Sequence, residues 1–372
     1  MQQSVISCPG GRGSVCPLCC ARRSAGSRRP GSKEVAPTKK RVKAWISVVL
    51  ALAVLLLSLE WANRIFTPKQ HRSGSTWGNF LQEPRDSIDV MFFGSSVVYC
   101  GVAPAAFWET SGLTAYVNAG PEQTLAITLA YIQQSLKTQS PGVIFVECSG
   151  LGFERYQKFT KTNIGQMPWG KARIQATFHA AEPEAVKGLL FPLFFYHDRW
   201  PELTEEDFRG YNADALAGFT WMGEYTSGDL TCESLNVTEE KWQMNIESLT
   251  QIYELCRREG IELVLFRTPV ERLSTPDWER LCRIMGGLDG VTMLDCLADA
   301  DKIGADVSTE KYDALHFNGA GAKKFSNYLG RWTVEHLQIQ PQPGQDAALW
   351  LNRLNFLNEL LRTPMRERKQ AS

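Results

Sequence analysis

From residue 87 onward the chain alternates short unbroken apolar runs with longer stretches in which apolar residues recur every three or four positions. Residues 88–93 are almost continuously apolar and end at Gly94. A second short run, 115–117, ends at Asn118-Ala119-Gly120, and further runs occupy 143–146, 262–266 and 291–294. Between them, residues 122–137 carry Leu125, Ile127, Leu129, Ile132 and Leu136 at helical spacing, and 242–258 place Trp242, Ile246, Leu249, Tyr253 and Cys256 on one helical face. Helices are also expected at 278–285 and after Asn318-Gly319. Strands that are apolar on both faces and alternate with helices predict an α/β fold, a parallel sheet of about five strands covered on both sides.

Residues 151–240 break this rhythm. They are rich in aromatics and in Gly, Pro and Asp, and are expected to be a mostly irregular or helical insertion capping the carboxyl edge of the sheet within a domain spanning 87–340. In the C-terminal stretch 341–372, residues 347–362 form an amphipathic pattern through Leu349, Leu351, Leu354, Leu357, Leu360 and Leu361. That helix is expected to dock on the domain, with a partner or a membrane surface as the alternative occupant of its apolar face. The polar stretch 63–86 is expected to be a linker, and residues 1–43, rich in Gly, Ser, Pro and Arg, a disordered basic tail.

The longest apolar run, 44–59, holds no charge and is bracketed by Trp45 and Trp61. Its length, extended by the interfacial Trp pair, fits a transmembrane anchor over 44–62. The Lys39-Lys40-Arg41-Val42-Lys43 cluster on one side predicts a cytoplasmic amino terminus and an extracytoplasmic main domain. A cleaved signal peptide also fits the apolar length, although no small-x-small site follows Leu59. A buried soluble helix is the remaining alternative.

Charge sharpens this division. The net charge is zero, but residues 1–43 hold ten Lys or Arg against one Glu, which leaves thirty basic against thirty-nine acidic residues downstream, about −9. That balance excludes a nucleic-acid-binding domain with a basic face. Of ten cysteines, Cys8, Cys16, Cys19 and Cys20 precede the anchor, where Cys16 and Cys19 make half a zinc pattern with no second half. Cys100, Cys148, Cys256, Cys282 and Cys296 fall within or beside core elements and read as small buried side chains.

In an open parallel sheet, ligands gather beyond the carboxyl ends of the strands. The first such loop is Gly94-Ser95-Ser96, where Gly permits a tight turn and Ser can either cap a helix or present its hydroxyl. An unactivated serine needs an imidazole within hydrogen-bond reach and a group that fixes the imidazole tautomer. Asp313-Ala314-Leu315-His316, placed before the last helix of the sheet domain, offers both. A surface or core histidine is the alternative for His316.

These blocks resemble the SGNH or GDSL-type hydrolases, and within them the membrane-anchored DltD-like branch, over residues 86–337. Gly94-Ser95-Ser96 matches the nucleophile block, Asn118-Ala119-Gly120 the block whose glycine supplies an oxyanion-hole N–H, and Asp313 to His316 with Gly319-Ala320 the closing block. The resemblance implies a three-layer flavodoxin-like sheet and a catalytic set of Ser96, Asp313 and His316, with Ser95 in reserve and Ser96 and Gly120 as oxyanion donors. The sequence itself holds no P-loop, no GxGxxG after a strand and no carboxylate pair or His cluster at metal-ligand spacing, so no cofactor and no metal are expected. Members of the branch work beside multi-spanning MBOAT-type O-acyltransferases, so such a partner and an envelope glycan or polymer substrate are the expectation. One block departs: where the family usually has an Asn after the third strand, this chain has Glu147-Cys148-Ser149-Gly150. Loss of a side-chain oxyanion donor costs on the order of a hundredfold in rate, which fits slow acyl transfer better than fast hydrolysis. Ser149 is the nearest substitute donor. In the insertion, Arg199 within His197-Asp198-Arg199-Trp200 is a candidate for contacting an anionic or polyol substrate or for a surface salt bridge, and Tyr211 for lining the same cleft. A non-catalytic module of this fold, binding glycan or scaffolding an acyltransferase, is the alternative function.

Overall fold

The computed structural model describes residues 39–69, 74, 76–155, 157–223, 231–342 and 346–363. The basic tail up to residue 38, with its four cysteines, and the last nine residues lie outside these. The chain divides into two units, Met1–Leu56 and Leu57–Ser372. The described part of the first unit belongs to helix α1 (Lys39–Phe66), which is long and apolar enough to cross a membrane. At 1.5 Å per residue its 28 residues span roughly 42 Å, more than the ~30 Å hydrocarbon core. The helix outruns the apolar run because its polar ends are themselves helix-compatible; Glu60 and Arg64, one turn apart, pair at 3.1 Å.

In the second unit, α2 (Trp77–Phe80) precedes β1 (Val90–Phe93). Helices α3 (Ser96–Tyr99) and α4 (Pro104–Ser111) lead to β2 (Ala115–Val117), and α5 (Leu125–Ser135) to β3 (Val143–Glu147). The insertion holds α6 (Gln157–Gly165), α7 (Lys171–His179), α8 (Pro183–Leu190), α9 (Leu193–Tyr196) and α10 (Glu205–Phe208). Then come α11 (Glu239–Glu259), β4 (Glu262–Arg267), α12 (Thr275–Met285), β5 (Val291–Asp295), α13 (Ala300–Ile303), α14 (Gly319–His336) and α15 (Ala347–Arg362).

The five strands are all parallel, in the order β2-β1-β3-β4-β5. This is the flavodoxin-like order, in which the chain reverses its winding between β1 and β3 and leaves a crevice at their carboxyl ends. Strand alternation sorts the core into two faces. Val90, Phe92, Phe145, Val264 and Phe266 pack under α4, α14 and α15, while Met91, Phe93, Ile144, Val146, Leu263 and Leu265 face α5, α11 and α12. Three layers follow directly from the two-residue side-chain period. Helix boundaries have local causes: Thr238, Ser274 and Asn318 cap α11, α12 and α14 by accepting backbone N–H groups, and Gly260 ends α11 in the left-handed conformation at φ 71°.

Two expectations change. The stretch expected as a linker contains α2, whose Trp77 and Phe80 are each 1% exposed and pack edge-on against Tyr131 and Tyr116. Two aromatics among polar neighbours are too few to produce a readable period, yet they carry enough apolar area to seat the segment. The insertion does not simply cap the sheet's carboxyl edge. Its α7 packs beside α5, and Ile164, Met167, Ala172, Ala176 and Leu189 join the core on that face. Two parts of it reach the carboxyl ends: Asn163 of α6 lies against Gly120, and further along Ala217 O accepts the Val117 N–H at 3.0 Å and Met222 O accepts the Gly319 N–H at 3.0 Å. The C-terminal helix α15 buries Trp350, Leu354 and Leu357. It also buries Arg353, which meets Glu83 of the former linker at 2.5 Å with both side chains 3% exposed or less.

Candidate functional site

The turn after β1 is tight because Gly94 lies where a side chain has no room: a Cβ there would stand 2.5 Å from Val98 Cγ2 and 2.8 Å from Glu147 Cβ. The chain therefore passes directly from the strand into α3. Ser96, the first residue of that helical turn, is half-buried, whereas Ser95 is 3% exposed and spends its carbonyl on the Val98 and Tyr99 N–H groups. The first N–H groups of a helix have no intrahelical acceptor, so that of Ser96 is available to a ligand.

The loop before α14 is cross-braced. Tyr312 N–H donates to His316 O at 2.8 Å, Lys311 Nζ to Ala314 O at 3.1 Å, and Asn318 Nδ2 to Thr309 O at 2.8 Å, while buried Phe317 packs against Phe325. Within this frame Asp313 Oδ1 accepts the backbone N–H groups of Leu315 and His316, each at 2.8 Å. The carboxylate thus builds the turn that carries the histidine.

The two loops converge. His316 Nε2 lies 2.8 Å from Ser96 Oγ, and His316 Nδ1 lies 2.9 Å from both oxygens of Asp313. A carboxylate only accepts, so Nδ1 carries the proton and Nε2 is left to accept from the serine hydroxyl. Partial burial pushes the Asp313 carboxyl up, but its hydrogen bond and electrostatic attraction to the His316 ring, with the two backbone N–H groups, outweigh it and bring it down to about 2. Asp313 is therefore an anion at any ordinary pH, and the geometry is that of a hydroxyl whose proton can be drawn off along a fixed line.

On the oxyanion side, Gly120 follows β2, the strand beside β1, and Asn118 N–H donates to Phe92 O at 2.8 Å, which joins the two loops at their origin. A Cβ on Gly120 would lie 2.1 Å from Asn163 Oδ1 and 3.3 Å from Gln123 Oε1. Both amides are 1% exposed, and neither of these oxygens has a hydrogen-bond partner among the described residues. Asn163 Nδ2 donates to Pro121 O at 3.0 Å. Sequence reasoning missed both: Asn163 sits on α6, in the stretch without readable periodicity, and nothing local links it to Gly120.

The position after β3 is closed in a different manner. Ser149, fully buried, gives both its N–H and its hydroxyl to Glu147, which leaves it no free donor for a substrate. Burial pushes the Glu147 carboxyl up, against the opposing hydrogen bonds from Ser149, to about 7.

Arg199 is not at this site. Its guanidinium pairs with Asp207 at 2.6 Å and donates to the carbonyls of Phe66 at 2.9 Å and Ile65 at 3.4 Å, so it ties the insertion to the end of α1. Tyr211 lies in the same region, its ring filling the space above Gly78. Arg199 and Tyr211 thus stand together beside the residues that end and follow α1. Two cavities, about 460 Å³ between α5, α7 and α11 and about 410 Å³ beside the end of α1, are likewise lined by neither Ser96 nor His316.

No family model matches the chain, and no curated protein matches it. Among solved structures, it is similar at a TM-score of 0.24 and 11% sequence identity to one described as a gut microbial diltiazem-metabolizing enzyme, over 68% of this chain and 49% of that one. The chain thus spans about half the length of that protein. Likeness at this level carries no inference about substrate or reaction.

Proposed function

We propose that the chain is a membrane-anchored serine esterase or O-acyltransferase in which Ser96 is the nucleophile, His316 the general base and Asp313 its orienter. The observation that carries this is the 2.8 Å contact between His316 Nε2 and Ser96 Oγ, residues 220 positions apart, with Asp313 on the opposite ring nitrogen. As Ser96 Oγ attacks an ester carbonyl, its proton passes to His316 Nε2, and the N–H groups of Ser96 and Gly120 receive the oxyanion. The intermediate collapses, the departing alcohol takes the proton from His316, and an acyl group remains on Ser96. A water or a sugar hydroxyl then loses its proton to His316 as it attacks that acyl group, giving hydrolysis or transfer.

The resemblance of the Ser96, Gly120 and Asp313-His316 blocks to the DltD-like branch of the SGNH hydrolases supports an extracytoplasmic domain acting on an envelope polysaccharide or polymer. An MBOAT-type O-acyltransferase is the partner this implies. The basic cluster before α1 supports a cytoplasmic amino terminus. The test is Ser96→Ala, assayed for p-nitrophenyl ester hydrolysis and for envelope O-acylation; unchanged rates in both would falsify the assignment.

A non-catalytic glycan-binding or scaffolding role is favoured by one feature, the Glu147–Ser149 closure where a side-chain oxyanion donor would stand. Labelling with a fluorophosphonate probe separates the two. A Ser96-dependent adduct supports the enzyme, and none under conditions that label a control serine esterase supports the scaffold.

A further inference from the structure

Six aromatic side chains of the second unit stand open to solvent: Trp61, Trp169, Phe191, Phe194, Trp200 and Phe208, at 46–70% exposure. Among the other Trp and Phe residues exposed in that unit, within the described residues, Phe178 belongs to the same insertion and only Phe356 lies elsewhere. This concentration is not random scatter; contiguous exposed apolar surface marks a docking face.

The face is fastened to the membrane-proximal end of α1. Asn63 Oδ1 accepts the Leu193 N–H at 3.1 Å, between Phe191 and Phe194, and Arg199, beside Trp200, donates to the carbonyls of Ile65 and Phe66. Trp61, Trp169 and Phe208 line one cavity of about 410 Å³ at that helix end. Lysines accompany the rings: Lys187 Nζ lies 4.4 Å from the Phe194 ring centre, Lys161 4.3 Å from that of Tyr196 and Lys69 5.6 Å from that of Tyr211. Within the described residues none of the three forms a carboxylate ion pair. Lys161 Nζ also donates to Phe195 O at 3.5 Å. Aromatic rings accompanied by ammonium groups that lack carboxylate ion pairs, continuous with the end of a membrane-crossing helix, match the chemistry of the lipid headgroup layer, where amphipathic rings settle and ammonium groups reach phosphates.

We infer that this face of the insertion seats in the headgroup layer of the bilayer that holds α1, on phosphate-bearing lipids, and holds the domain down on the membrane surface. The inference stands independently of the chemistry at Ser96.

The test uses the full chain reconstituted in phosphatidylcholine vesicles with and without phosphatidylglycerol. A photo-crosslinking phenylalanine analogue is placed at Phe194 or at Trp200, and, as controls, at the exposed positions Val307 and Phe356. Because these side chains are exposed, the replacements leave the fold intact. Lipid adducts are expected at Phe194 and Trp200, in several-fold excess over both controls and increased by phosphatidylglycerol. Equal yields at all positions, or no lipid adduct at Phe194 and Trp200, overturn the proposal. So does a result in which native membranes give only protein adducts at these two positions, since the face then belongs to a protein partner.

Discussion

Glu147 grips Ser149 with both carboxylate oxygens, Oε1 accepting the backbone N–H at 2.7 Å and Oε2 the hydroxyl at 2.6 Å, at the end of β3 where β1 and β3 part. The pair leaves a buried acid behind the Ser96 loop, with its Cβ against Gly94. An ionisable group there links stability to pH.

Burial holds the Glu147 proton up to about 7, against 4.5 for an ordinary glutamate. Between those values the folded chain keeps a proton that the unfolded chain has released, so this group makes stability fall as pH rises through the window. Glu147→Gln should flatten that dependence, raising Tm by a few degrees at pH 8 and little at pH 5. Thermal melts of both proteins at the two pH values check it; parallel curves would remove Glu147 as the cause.

Asp313 has the opposite sign. Its carboxyl lies at about 2 in the folded chain against 3.8 ordinarily, so its stabilising effect is present above 3.8 and is lost as pH falls toward 2. Replacing it with Asn keeps the shape but allows the wrong imidazole tautomer, and ester hydrolysis should drop by a factor on the order of 10³ to 10⁴. The kinetic measurement is paired with circular dichroism, since Asp313 also holds the turn; an unfolded variant would not bear on tautomer control.

Gly120→Ala forces a Cβ to within 2.1 Å of Asn163 Oδ1, so either the amide or the glycine N–H must move. If that N–H receives the oxyanion, kcat should fall by on the order of a hundredfold with KM nearly constant. Adding Asn163→Ala removes the obstruction and should restore part of the loss. A double variant no better than the single one would show that crowding against Asn163 is not responsible.

Arg353→Met strands Glu83, whose carboxyl burial already pushes upward against its pairing with Arg353. The expected cost is about 3 kcal/mol or more in chemical denaturation. Glu83→Leu together with Arg353→Met should recover most of it, because the expense lies in an unpaired buried charge rather than in the contact itself. Equal losses in the single and double variants would refute this.

Much of the fold was legible in local pattern. Each of the five apolar runs became a strand, with 88–93 beginning at Val90 and the others matching or gaining one residue, and the stretch 347–362 became α15 as expected. These elements could be read because their burial is periodic: a strand covered on both faces must be apolar throughout, and a helix covered on one face must repeat every three to four residues. The short helix Trp77–Phe80 and the packing of the insertion were not readable. Their burial depends on a few aromatics meeting a surface supplied by Tyr116, Tyr131 and α5, which lie far along the chain.

The site divides in the same way. The chain alone determined that a serine follows the first strand after a glycine, that Asp313 and His316 sit three apart so that one carboxylate can hold the ring, and that an apolar helix precedes the domain. Tertiary structure decided that His316 Nε2 meets Ser96 rather than Ser95, that Ser149 is consumed by Glu147, that Asn163 stands over Gly120, and that Arg199 belongs to the end of α1. The physical reason is range: a tight turn or an i,i+3 contact is written within a few residues. A contact across 220 positions exists only after the parallel sheet has brought two loops to one edge, and no local pattern specifies which side chains then face each other.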